Sequence, residues 1–161
     1  MELENALGKA LVSINEMRSL EGAVMEDDVN GRLITLRAQL DEIELVSEEN
    51  LSARREELME KVSDLVTASI DPKNVAMDVA RLVERGNISE EITRFRSHLE
   101  LWNISVSGSE PCGKKLDYIA QEMNREVNTI GAKSQDSKIA EHVIIIKAQL
   151  ERIREQVQNI L

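Results

Sequence analysis

The chain has 161 residues, 31% of them charged, with a formal net charge of −10 and a single cysteine. That length holds one sizeable core or two small ones, and the lone Cys112 excludes an intramolecular disulfide, while no Cys/His spacing suggests a zinc site. The acidic balance argues against a generic nucleic-acid binder, because a phosphate backbone must be met by Lys and Arg. With aromatics at 2%, two prolines and seven glycines, and with Leu, Ile, Val, Ala, Glu, Lys and Arg dominant, the composition predicts an all-α protein.

Apolar residues recur at helical intervals from the start, at Leu3, Leu7, Leu11, Ile14 and Met17, and again at Leu33, Leu36, Leu40 and Ile43. This predicts long amphipathic helix with at most a local interruption near Gly22 or Gly31. The segment VSEENLS, residues 46–52, supplies capping residues and predicts a reversal, after which Leu51, Leu58, Val62 and Leu65 mark a second helix to about Ser69. Residues 1–70 thus read as a long antiparallel helical hairpin, and they hold 16 acids against 7 bases. Asp71-Pro72 breaks the pattern and opens a helix from about Lys73 to Arg85 on Val75, Val79, Leu82 and Val83, ended by Gly86-Asn87.

Asn87 or Ser89 caps the next helix, which reaches about Val106 with Ile92, Phe95, Leu99, Trp102 and Val106 on one face. SGSEPCG, residues 107–113, reads as a loop. A helix then runs from near Lys114 to about Gly131 on Leu116, Ile119, Met123, Val127 and Ile130. KSQDS leads into a last helix on Ile139, Val143, Ile146, Leu150, Ile153, Val157 and Ile160. Residues 71–161 form a C-terminal helical domain, a bundle that is nearly neutral with 14 acids and 13 bases. Ile144 and Ile145 fall outside the apolar stripe, which predicts burial in the bundle centre or self-association as a homo-oligomer. No apolar run is long enough to span a membrane and the N-terminus MELENALGK is acidic, so a cytosolic protein is expected.

The stretch QEMNREVNTIGAK, from Gln121 to Lys133, sets carboxylates, a guanidinium and side-chain amides beside the apolar stripe. Glu122 and Glu126 stack one turn apart on its flank, a repulsion of about 0.2–0.5 kcal/mol that suggests a compensating metal or arginine. On the preceding helix, Glu91, Arg94 and His98 fall within about 60° of one another. Packed face to face, the two helices would offer Glu91, His98, Glu122 and Glu126 as a metal site of three carboxylates and an imidazole. That donor set suits Mn2+ or Mg2+ better than zinc and points to metal-assisted phosphodiester chemistry, with His98, Glu122 and Glu126 as candidate catalytic residues. Arg94, Lys114, Lys115 and Arg125 are the candidate RNA contacts, the two lysines because they occupy a helix start that disfavours cations. The competing reading is that Glu91–Arg94 and Glu122–Arg125 are helix-surface ion pairs and that His98 is a core-edge hydrogen-bonder.

Four segments in one order, ISEEITRFRSHL (Ile88 to Leu99), GKKLDYIAQEMNRE (Gly113 to Glu126), QEMNREVNTIGAK and KAQLERIREQVQNI (Lys147 to Ile160), together resemble the C-terminal half of the YicC/YloC family of bacterial proteins. The resemblance is dense over about the last 75 residues. It implies a metal-dependent endoribonuclease of the bacterial cytoplasm with RNA as substrate. It carries over the EE-x-x-R-x-x-x-H segment at Glu91, Arg94 and His98, and the QE-x-NRE-x-NT segment at Glu122, Asn124, Arg125, Glu126 and Asn128. Departures are Cys112 where an aliphatic residue is usual, and Lys114 and Lys115 where arginine is common. Family members carry a further N-terminal domain without counterpart here, so the chain reads as a fragment or a shortened relative. A different class of function, a non-enzymatic helical scaffold or regulatory module whose acidic hairpin engages protein partners, accounts for the same helices without chemistry.

Overall fold

The computed structural model of the chain describes residues 2–66, 77, 86–108 and 111–159. Most of the described residues lie in four helices: α1 (Glu2–Val66), α2 (Ser89–Val106), α3 (Gly113–Lys133) and α4 (Ser137–Asn159). Among the described residues there is no strand, so the fold is all-α, as composition and periodicity require. The expected break at Asp71-Pro72 and the helix from Lys73 to Arg85 lie outside the described residues.

The predicted reversal at residues 46–52 is not made. The chain continues through it as one 65-residue helix, so the N-terminal segment is a single rod where a hairpin was expected. Ser and Asn cost only a few tenths of a kcal/mol relative to typical residues inside an exposed helix, and no Gly or Pro interrupts VSEENLS. Asn50, read as a cap, instead reaches across to Asp136, donating from Nδ2 to Oδ2 at 3.0 Å. Gly22 and Gly31 lie within the same continuous helix.

Polar bridges between helices fix the topology. Arg32 binds Asp28 through two nitrogens and donates to Gln149 at 2.8 Å. His142 Nδ1 lies 2.7 Å from Gln39 Oε1, and Asn50 meets Asp136. Positions ascending along α1 therefore meet positions descending along α4. Arg96 on α2 bonds Asp41 and Glu44 on α1, Lys133 on α3 bonds Glu91 on α2, and Arg154 on α4 lies 3.3 Å from Asp117 on α3. Every neighbouring pair runs antiparallel, giving an up-down-up-down bundle in which the middle of α1 is the first helix.

The core is one cluster drawn from both sides of position 70. Leu33, Leu36, Leu40 and Ile43 of α1 pack with Phe95, Leu99 and Trp102 of α2, Ile119, Met123, Val127 and Ile130 of α3, and Ile146, Leu150 and Ile153 of α4. Each fully buried Leu, Ile or Phe contributes about 1.5–3 kcal/mol relative to exposure. The 3.6-residue spacing on each helix is what delivers these side chains to one axis. Ile88 is buried as well and packs under the start of α2, while the Asn87 carboxamide accepts the Ser89 N–H at 2.9 Å. Asp136 caps α4, its Oδ1 accepting the N–H groups of Lys138 at 2.7 Å and Ile139 at 3.2 Å. Ile144 stays 67% exposed and Ile145 40%, and upstream of residue 29 the apolar stripe of α1 has no partner among the described residues.

Candidate functional site

The seam between α2 and α3 carries most of the residues singled out above. Its register is fixed by Glu91, 4% exposed, whose Oε1 accepts from Lys133 Nζ at 2.7 Å. Lys133 also donates to the carbonyl of Asn87 at 3.4 Å. The second oxygen, Oε2, is buried and makes no hydrogen bond. Seven residues along α2 from Glu91 is His98, and seven back along α3 from Lys133 is Glu126; both steps are close to two whole turns. His98 and Glu126 therefore stand at one level of the seam, roughly 10 Å from the Glu91–Lys133 pair. Glu122 stands one turn beyond Glu126.

Glu126 is only 6% exposed and has neither hydrogen bond nor ion pair among the described residues. Its carboxylate oxygens are not among the fully buried atoms without a partner, so the head group reaches solvent while the stem is packed in the seam. Glu122 is half-buried, and its contact with Arg125 is 4.0 Å, too long for a hydrogen bond. His98 is half-buried and makes no hydrogen bond among the described residues. Arg94 pairs with Glu90 and not with Glu91. Lys114 and Lys115 are exposed in the first turn of α3, and neither forms an ion pair among the described residues.

The four expected metal ligands do not converge. Among the described residues no group of three or more His, Cys, Asp or Glu side chains is placed to hold a metal ion. The reason is axial. Helical-wheel angles put Glu91 and His98 on one azimuth, but the rise between them is about 10 Å, whereas ligand oxygens lie about 2.0–2.6 Å from a divalent ion. Glu91 is withdrawn from the set by Lys133. Glu122 and Glu126 remain as two carboxylates one turn apart, a set that fits Mg2+ or Mn2+, since such ions are commonly held by one or two carboxylates and complete their shell with water and substrate phosphate.

Lys133 is the residue that the sequence reading missed. On the α3 wheel it falls within about 20° of both Glu122 and Glu126, so a cation on the acidic flank was legible; that it reaches across to α2 was not. A cleft of about 450 Å3 opens at the other end of the bundle, lined among others by Asn50, Arg54, Asn87, Lys133 and Asp136, and none of His98, Glu122 or Glu126 lines it.

A family profile described as "Endoribonuclease YicC-like, C-terminal" matches residues 43–161. The chain is 39% identical over 160 residues to "Probable endoribonuclease YicC" of Clostridioides difficile (strain 630), covering 98% of this chain and 55% of that protein. It is 31% identical over 160 residues to the protein of the same name from Haemophilus influenzae, covering 99% of this chain and 55% of that protein. The chain spans about half the length of the curated relatives it matches. A match over three-quarters of the chain, ordered along the same helices that build the seam, places it in the YicC-like endoribonuclease family.

Proposed function

We propose that this chain supplies the helical part of a bacterial, cytoplasmic endoribonuclease, with RNA running across the α2–α3 seam. The observation that carries this reading is a mismatch of charge on one helix. Among the described residues Glu126 has no cation partner and Glu122 is only weakly paired, while Lys114 and Lys115 on the same helix have no acid partner and Arg125 has only the distant Glu122. A divalent ion at the carboxylates and RNA phosphates at the cations would resolve both halves. Relatives described as probable endoribonucleases support the same substrate class.

Glu122 and Glu126 would hold the ion, Mn2+ or Mg2+, which supplies polarisation of the phosphoryl oxygen and activation of water. His98, level with Glu126, would move a proton at the attacking or leaving oxygen. Arg94, Lys114, Lys115 and Arg125 would position the backbone. Glu91 has no part in metal binding in this reading; with Lys133 it sets the register that puts His98 opposite Glu126.

The test is cleavage of a labelled RNA with Mn2+, Mg2+ or neither, by the protein carrying Glu122→Ala, Glu126→Ala or His98→Ala. Loss of metal-dependent cleavage with unchanged helicity is expected, and full activity in all three variants overturns the site. A second reading, a homo-oligomeric helical scaffold without chemistry, is favoured by the exposed stripe of Leu3, Leu7, Leu11, Ile14 and Met17. It predicts that the wild type cleaves nothing and that the seam substitutions change only stability.

A further inference from the structure

The face of α3 that points away from the core carries the only tyrosine of the chain, Tyr118, and it is 60% exposed. The other two aromatic residues of the chain, Phe95 and Trp102, are both buried. The surroundings of Tyr118 are specific. On the helix, Lys114, Tyr118 and Arg125 fall within about 40° of one another, with Gln121 beside them, and all four are exposed. Lys114 is one turn before the ring and Arg125 two turns after it. On α3, the acid adjoining this stripe on the side away from the seam, Asp117, is already engaged by Arg154 at 3.3 Å and by the Gln121 amide at 2.6 Å. Toward the seam, the neighbour one turn from Tyr118 is Glu122.

From this arrangement we infer that Tyr118 is a stacking platform for an unpaired base of RNA, with Lys114 and Arg125 holding the phosphates on either side; the inference rests on the RNA reading above. Cations flanking an exposed aromatic are what a single-stranded chain requires, because each nucleotide offers a flat face and a negative charge at a spacing close to one helical turn. A duplex keeps its bases stacked on each other and has no use for the ring, so the substrate class is single-stranded or locally unpaired RNA. A base seated on Tyr118 brings the neighbouring phosphate to Glu122, about 6 Å further along α3. The ring would then set which phosphodiester meets the carboxylates, which makes it a positioning residue.

The experiment is fluorescence anisotropy of a fluorescein-labelled oligoadenylate, and of an RNA duplex of equal length, with the full protein in EDTA so that no cleavage intervenes. Stacking on one ring corresponds to roughly a 5- to 150-fold change in Kd, and that weakening is expected for Tyr118→Ala on the single strand. Tyr118→Phe, which keeps the ring, should bind within about 2-fold of wild type. Lys114→Ala with Arg125→Ala should reduce the slope of log affinity against log salt by about 1.4. Because the side chain is exposed, far-UV circular dichroism of Tyr118→Ala should match wild type. Wild-type binding that survives Tyr118→Ala undiminished, a Tyr118→Phe variant as weak as alanine, or a tighter complex with the duplex each overturns the stacking inference and leaves the RNA reading standing. No binding of either RNA by wild type at low salt overturns both.

Discussion

Removing the Lys133 ammonium should destabilise the bundle well beyond what an exposed lysine ordinarily contributes. The Glu91 side chain is 6% exposed and that of Lys133 34%, so the pair is asymmetric, with the acid inside and the base at the rim. Breaking a buried pair from one side costs about 3–5 kcal/mol, because a charge is left in a poorly solvated place. Water reaching the partly open lysine end reduces this, and about 2–3 kcal/mol is expected for Lys133→Ala. Trp102 is the only tryptophan and is 2% exposed in the same bundle, so its emission reports unfolding directly. With a urea m-value of about 1–3 kcal/mol/M, the midpoint should fall by roughly 1–2 M at fixed protein concentration. The double variant Glu91→Leu with Lys133→Met removes both charges and should lie within about 1 kcal/mol of wild type. Comparing Lys133→Ala in the wild-type and Glu91→Leu backgrounds separates the pair from the favourable effect of a lysine in the last turn of α3. A Lys133→Ala variant within about 0.5 kcal/mol of wild type, or a double variant no better than the single, refutes the argument.

Gly31 lies in mid-helix and a Cβ built there meets nothing within 4 Å, so Gly31→Ala should stabilise the protein by about 0.5–1 kcal/mol in the same urea titration; a loss of stability would show that the position is strained. The Asp136 carboxyl is held below its ordinary value, first by the Asn50 amide and then by the N–H groups of Ile139 and Lys138. A depressed folded value contributes stability that is present above the unfolded value of about 3.9 and is lost as pH falls through the folded one. Asp136→Asn should therefore flatten the acid limb of the melting temperature below about pH 4, and an unchanged limb would refute the assignment. The exposed apolar stripe at Leu7, Leu11, Ile14 and Met17 predicts self-association that Leu11→Glu with Ile14→Glu abolishes, read by sedimentation velocity; a wild type that sediments only as monomer at tens of micromolar, on the order of working concentrations for weak helical assembly, overturns it.

Periodicity made three of the helices legible almost to the residue, because each must bury one stripe: Phe95, Leu99 and Trp102 on α2, Met123 and Val127 on α3, Ile146 and Leu150 on α4. Where the sequence misled was at 46–52, since Ser and Asn serve equally as caps and as exposed helix positions. Only the tertiary bond from Asn50 to Asp136 distinguishes the two. The site was half legible for a related reason. A wheel projection places Glu91 and His98 on one line and Glu122 and Glu126 on another, but it discards height along the axis and does not contain the register between helices. That register is set by Lys133 meeting Glu91, a contact between positions 42 apart in sequence that no local pattern encodes.

A 65-residue helix is about 97 Å of nearly incompressible rod, and among the described residues the core grips it over its middle portion. The segment before Arg32 extends some 40 Å past its last anchoring contact with α4. Rod and fulcrum make a lever. A tilt of about 10° at Arg32, small enough for side chains to absorb by sliding, would carry Leu3 through roughly 7 Å. Whatever grips the far end of α1 consequently gains mechanical advantage over the packing of Leu33, Leu36, Leu40 and Ile43, and through Arg96 over the tilt of the helix that carries His98.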